Sequence, residues 1–364
     1  MLNFFTRFFY PKEIVIKKGS IQRLKFLEYK KPLLIFSNSS EKNGTVEKIK
    51  TMLPGIDLLK IKSGEPKVSY IDTYVKKDLR NDAIIAIGGG SVIDTAKLII
   101  ANLISEEKIE EIKPFSLSDD YNKKPKFIAI PTTVGSGSES DGVAVAEHNN
   151  KKLPIVSDLL VPDIAILDPL LVQELPKELL VKTALDAFSH GVESYFSRIT
   201  NEFSRMIAIS ACSNTILGLK DINNDTQNIS SYEKLLYASY LAGLAQSTTS
   251  VGIIHAISHV ISPKVNMGHA HINSLLIPHI IEFYNKKDVD VLSFLTRVGF
   301  ENIDKAIEFF NDQAIRNNIS LIEEGLLTIN EELILEIKND MCFKTSPISI
   351  NEDEIKIILE KIIE

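Results

Sequence analysis

Ala83-Ile-Ile-Ala-Ile87-Gly88-Gly-Gly-Ser91-Val-Ile-Asp94-Thr-Ala-Lys97 reads as a strand, a glycine turn and a helix. Five apolar residues without alternation suit a central strand covered on both faces, and helical periodicity begins at Ser91. Glycines let the backbone approach a pyrophosphate, and the free N–H groups and positive end of the following helix favour the anion. The same residues also suit a tight βα connection that binds nothing, and the pattern is not GxGxxG.

Working outward, Phe127-Ile-Ala-Ile130 is a second run of this kind, and it leads into Pro131-Thr-Thr-Val-Gly-Ser-Gly-Ser-Glu139, another turn rich in Gly, Ser and Thr. Short β-branched runs at Glu13–Ile16, Leu33–Phe36, Leu58–Ile61 and Ile164–Leu167 flank these two. The expectation is an α/β domain with a doubly wound, mostly parallel sheet, whose ligands lie at the carboxyl ends of the strands. Val143–Ala146 and Leu153–Val156 bracket polar Glu147–Lys152 as a hairpin, with His148 at its solvated tip. After Asp168-Pro169 amphipathic stretches replace strands. This predicts residues 1–168 as the dinucleotide-binding domain and 169–364 as an all-α domain. Ser230-Ser-Tyr-Glu233 and Asn351-Glu-Asp-Glu354 read as capping boxes, and 221–230 as a surface loop.

Two segments of the helical half carry metal-ligand spacing. In Asp186-Ala-Phe-Ser-His190 the carboxylate and imidazole lie four apart, on one helix face. His255-Ala-Ile-Ser-His259 repeats the spacing, and Gly268-His269-Ala270 follows. Asp186, His190, His255 and His269 are the expected ligands; one oxygen and three nitrogens suit Fe(II), Zn(II), Co(II) or Ni(II). Each histidine taken alone is better read as a helix residue with a local hydrogen bond. Together with the glycine turns they suggest hydride transfer; the competing class is a nucleotide-binding module with structural zinc. Structural zinc sites are usually rich in cysteine, and the absence of cysteine ligands here favours the enzyme.

Composition narrows the remainder. The 364 residues suffice for two cores, and 44% hydrophobic with 24% charged residues is a soluble globular balance. No apolar run reaches the roughly 20 residues that span a bilayer, and the aromatic N-terminus, broken by Arg7, lacks a signal-peptide core. Cys212 and Cys342 form no CxxC, so neither a disulfide framework nor a thiolate site is expected, and a cytoplasmic location fits. A net charge of −7 with dispersed lysines argues against nucleic acid as a partner. Phe4, Phe5, Phe8 and Phe9 make an apolar terminus that suggests a homodimer or larger assembly, the alternative being packing within the chain.

Taken in order, the motifs resemble those of the iron-containing alcohol dehydrogenase family. They are Tyr10-Pro-Lys-Glu through Gly19-Ser20-Ile21, Gly88-Gly-Gly-Ser91 with Asp94 and Lys97, Pro131-Thr-Thr to Gly-Ser-Glu139, and Ala165-Ile-Leu-Asp168-Pro169. The Asp186/His190 and His255/His259/His269 segments and Leu276-Ile-Pro-His279 complete the set. The resemblance implies the same four ligands, holding Fe(II) or in some members zinc. It implies Gly89, Gly90 and Ser91 at the pyrophosphate, with Asp94, Thr132, Thr133, Ser138 and Lys152 in the neighbourhood of NAD or NADP. His259 would lie near a small alcohol or aldehyde substrate and relay a proton, with His271 and His279 structural. Where NAD-preferring relatives tend to carry aspartate, this chain has Ser37 or Asn38, so NADP is expected to be accepted. Ala184, Ala270 and polar Ser140-Asp141-Gly142 depart from the family pattern. Gln246-Ser to Val251-Gly and Glu282-Phe-Tyr284 are similar to the branch that oxidises the terminal hydroxyl of an eight-carbon keto sugar acid, the alternative function. The dehydroquinate-synthase type shares the layout with a different metal motif.

Overall fold

The computed structural model describes residues 8–75, 80–105, 107–112, 117, 124–149 and 151–364. They divide into two compact units, Phe8–Glu174 and Leu175–Glu364, so the division falls after the short helix that follows Asp168.

The first unit contains strands β1 (Glu13–Ile16), β2 (Pro32–Phe36), β3 (Asp57–Lys60), β4 (Ala83–Gly88), β5 (Lys126–Pro131), β6 (Val143–His148), β7 (Lys151–Val156) and β8 (Ile164–Leu167). Its helices are α1 (Asn38–Lys42), α2 (Thr45–Met52), α3 (Val68–Tyr74), α4 (Gly90–Ser105) and α5 (Pro169–Val172). Among the described residues, six strands pair in parallel in the order β1-β8-β5-β4-β2-β3. The chain steps outward from β2 to β3, then returns to the other side of β2 for β4 and β5. The direction therefore reverses between β2 and β4, where open α/β sheets bind ligands.

The apolar runs are continuous because both faces are covered. Ile84 and Ala86 of β4 join Phe127 and Ala129 of β5 in one core beneath α4, while Ala83, Ile85 and Ile87 join Ile128 and Ile130 in the opposite core. Asp168 ties two distant sequence motifs together: its Oδ1 accepts from the Gly19 amide at 3.0 Å, and its Oδ2 from the Ile21 amide at 3.1 Å. The antiparallel β6–β7 hairpin is longer than its sequence suggests. Glu147 and His148 pair with Lys152 and Lys151, so His148 is a half-buried strand residue and not a solvated tip. The extension is held by the Glu147 amide, which donates to the Pro66 carbonyl at 2.7 Å, and by the Lys67–Glu147 ion pair at 2.9 Å.

The second unit consists of α6 (Lys177–Phe196), α7 (Glu202–Asn224), α8 (Ile229–Thr249), α9 (Ile253–Val265), α10 (His269–Lys286), α11 (Val291–Arg297), α12 (Ile303–Arg316), α13 (Glu331–Asn339) and α14 (Glu352–Glu360). Helix α6 packs against α7, α8 and α10. A Cβ at Gly191 of α6 would sit 2.4 Å from Cys212 Sγ of α7, so glycine is what allows this close approach. The polar stretch expected as a loop from 221 is helical through Asn224, because Ile222 buries its side chain. Helix α8 is capped by Asn228, which accepts from the Ser230 amide, and not by the expected box at Ser230. The Asn351/Glu354 box on α14 forms as read. Among the described residues no helix is long and apolar enough to cross a membrane.

Candidate active site

Helix α6 presents Asp186, His190 and Glu193 at i, i+4 and i+7, one stripe facing inward. Asp186, His190 and His255 each contribute a donor atom to a buried group whose members all lie within 4.8 Å of one another. The rings of His190 and His255 stack at 4.4 Å between centroids. His269, the first residue of α10, brings its Nε2 to 3.5 Å from Asp186 Oδ2 and is the most exposed of the four. Structure thus gathers three of the expected residues into one cluster, and the fourth reaches it through Asp186.

Two partners were not anticipated. The Glu193 carboxylate accepts from His255 Nδ1 at 2.6 Å through Oε2 and from the Ile254 amide at 2.6 Å through Oε1. One buried carboxylate therefore holds the N-terminus of α9, where the helix dipole favours it, and directs His255 Nε2 toward Asp186. Asn273 Nδ2 donates to Asp186 Oδ1 at 2.7 Å and lies 3.0 Å from His255 Nε2. Both residues had a faint signal: Glu193 falls two turns after Asp186, and Asn273 one turn after His269.

The electrostatics suit a cation. Burial works against an ionised Asp186, yet His190 and His269 beside it hold its carboxyl well below the usual range. Burial likewise works against a charged His255, but Glu193 and Asp186 outweigh it and raise the imidazole to about 9. The surroundings favour positive charge at this point, and with Nδ1–H bonded to Glu193 a divalent cation on Nε2 meets that demand. The oxygen and nitrogen donors fit the borderline metals anticipated.

His259, one turn beyond His255, is half-buried, with Nδ1 3.3 Å from Asp340 Oδ2 and 3.9 Å from Cys342 Sγ. Burial, with Asp340 adding to it, pushes the Cys342 thiol well up. No sequence spacing connects His259 with residues some eighty positions on. His271 donates through Nε2 to the Ser320 carbonyl at 2.8 Å, and burial lowers both His271 and His279.

In the first unit the glycines act mainly by lacking a side chain. None of Gly88, Gly89 and Gly90 takes a positive φ. A Cβ on Gly90 would lie 2.4 Å from Ser136 Oγ, and one on Gly89 3.1 Å from Thr133 Cγ2. The two glycine-rich turns therefore touch, and the Thr132 amide donates to the Gly88 carbonyl at 2.9 Å. Asp94 accepts from Ser138 Oγ and from the Val145 amide at 3.2 Å; Lys97 donates to Asp141 Oδ1 and the Val143 carbonyl, both at 2.7 Å. These bonds staple α4 to the segment 138–145. Lys152 is ion-paired with Glu65. After β2, Ser37 is buried with its Oγ 3.1 Å from Ser39 Oγ, Asn38 is exposed, and Glu41 is paired with Lys60 at 2.6 Å.

Residues 11–169 match the model described as iron-containing alcohol dehydrogenase, and residues 180–363 that of the Fe-containing alcohol dehydrogenase family, C-terminal. The chain belongs to the iron-containing alcohol dehydrogenase family. It is accordingly an oxidoreductase of the alcohol dehydrogenase type. Among iron-containing alcohol dehydrogenases it is 29% identical to the NADPH-dependent butanol dehydrogenase of Clostridium saccharobutylicum, with 97% of each chain covered. It is 32% identical to the 1-propanol dehydrogenase of Citrobacter freundii over 74% of this chain and 71% of that one. A solved 1,3-propanediol oxidoreductase superposes with a TM-score of 0.88 at 25% identity, covering 98% of this chain and 99% of the other.

Proposed function

We propose that this chain is a metal-dependent, NAD(P)-linked alcohol dehydrogenase or aldehyde reductase that moves hydride between a nicotinamide and a small polar alcohol or aldehyde. The observation that carries the reading is the convergence of Asp186, His190 and His255 within 4.8 Å, with His269 against Asp186. The relatives named above, which act on butanol, 1-propanol and 1,3-propanediol, support the substrate class.

Held by Asp186, His190, His255 and His269, iron or zinc supplies Lewis acidity toward a substrate oxygen. Glu193 and Asn273 keep the imidazole and carboxylate donors oriented. His259 takes the hydroxyl proton on oxidation and returns it on reduction, with Asp340 paired to its Nδ1. Gly89, Gly90 and Ser91, at the start of α4, bind the pyrophosphate, with Thr132, Thr133 and Ser138 supporting the turn around it. Ser37 and Asn38 face the adenosine ribose. The first unit serves as the dinucleotide domain and the second as the metal and substrate domain. The assembly is a homodimer; Phe4 and Phe5 lie outside the described residues, and light scattering tests this state.

Metal analysis of purified protein, followed by NADH and NADPH oxidation with polar aldehydes including phosphonate and sugar-derived ones, tests the reading. Metal-dependent turnover of at least one small aldehyde is expected. Equal activity of metal-free and metal-loaded protein, or no turnover of any aldehyde by the loaded enzyme, overturns it.

A further inference from the structure

His259, Asp340 and Cys342 form a second group in the helical unit whose donor atoms all lie within 4.8 Å of one another. Asp340 caps the short 3-10 turn Met341–Thr345, its Oδ1 accepting from the Cys342 amide at 2.8 Å. That bond turns Oδ2 toward His259 Nδ1, 3.3 Å away, and carries the Cys342 thiol to 3.9 Å from the same nitrogen. Tetrahedral zinc, with bonds of about 2.0 Å to nitrogen or oxygen and about 2.3 Å to sulfur, separates its ligand atoms by roughly 3.3 to 3.6 Å. The Nδ1–Oδ2 separation of 3.3 Å already matches such an edge, and the Nδ1–Sγ separation of 3.9 Å exceeds it by a few tenths of an ångström. All three side chains are half-buried, so an ion can reach them while most of its hydration is replaced. Zinc accepts all three ligand types, and the thiolate among them selects thiophilic cations.

We propose that His259 Nδ1, Asp340 and Cys342 bind a thiophilic divalent cation such as Zn(II) or Cd(II), separately from the Asp186 cluster, and that this binding inhibits the enzyme. On binding, the Cys342 thiol gives its proton to solvent and the sulfur joins as thiolate, while the Nδ1 proton passes by way of solvent to Nε2, so that the freed Nδ1 lone pair bonds the ion in place of its contact with Asp340. The inhibitory half rests on the proton role proposed for His259: an imidazole held at Nδ1 by a cation no longer passes a proton from one nitrogen to the other.

The test is a Cd(II) titration of iron-loaded enzyme, following the cadmium–thiolate charge-transfer absorbance, iron content and turnover together. Expected are one thiolate-ligated cadmium per chain, unchanged iron content and a loss of turnover of at least about tenfold. In Cys342→Ser the absorbance should vanish, cadmium inhibition should weaken by about tenfold or more, and turnover without cadmium should be unchanged. Asp340→Asn should weaken cadmium binding while leaving the thiolate signal obtainable at higher concentration. Absence of the signal in the wild type, its persistence in Cys342→Ser through Cys212, or its appearance only as iron is lost would overturn the site. Full binding with unchanged turnover would uphold the site and remove the proton role of His259.

Discussion

Glu193 Oε2 lies 2.6 Å from His255 Nδ1, and both side chains are buried. Because the same carboxylate also accepts from the Ile254 amide, it sets the position of α9 and the tautomer of its histidine at once. Partners of this kind typically change metal affinity by 10- to 100-fold. Glu193→Gln is therefore expected to weaken metal binding by about that factor, measured by competition with a chelator. The amide retains the bond to Ile254, so helix content should be unchanged; undiminished affinity would mean that the contact only packs.

Loss of a ligand should be felt by the metal before the fold. His269 is half-buried and His255 is buried against Glu193. His269→Ala should lose metal with little change in thermal unfolding, whereas His255→Ala should also cost about 1–3 kcal/mol by depriving a buried carboxylate of a partner. Stoichiometric metal and full turnover in both variants would refute the ligand assignment.

The adenosine end is expected to discriminate weakly. Ser37 and Asn38 are uncharged, and Glu41 is engaged by Lys60. NADPH should support turnover, and Asn38→Asp should shift kcat/KM toward NADH by repelling the 2′-phosphate. A wild-type preference for NADH above about a hundredfold, or ~2.7 kcal/mol, would contradict this.

Burial raises Glu139 from 4.5 to about 7, and Asp141 beside it is raised to about 6. Between about pH 4.5 and pH 7 the folded state binds more protons at Glu139 than the unfolded chain does, so stability contributed here is full below that window and falls as pH rises through it. Glu139→Gln should remove this slope. Urea unfolding across the window should show the variant gaining on the wild type as pH rises; a flat difference would place the proton elsewhere.

Gly90→Ala places a methyl 2.4 Å from Ser136 Oγ and 2.7 Å from its Cβ. A loss of about 1–3 kcal/mol is expected from this overpacking. Ser136→Gly in the same chain should recover most of it. Additive effects in the double-mutant cycle would show that the two turns do not press on each other.

Several features follow from the sequence alone because their causes are local or periodic. The run Ala83–Ile87 is apolar without alternation because its two sides enter different cores, and that pattern is visible before any partner strand is known. Asp186 and His190 share a face because a helix repeats near every fourth residue. Asn351 and Glu354 cap α14 through bonds three residues apart. Tertiary structure decided whatever depends on chain segments that meet only after folding. Glu193 reaches His255 across 62 positions, Asn273 reaches Asp186 across 87, and Asp340 reaches His259 across 81. Asp94 and Lys97 belong to a strand–turn–helix motif visible in the sequence, but that their hydrogen bonds run to the segment 138–145 was decided by folding. A polar side chain announces that it needs a partner, but which partner it finds is set by the packing of the apolar residues around it.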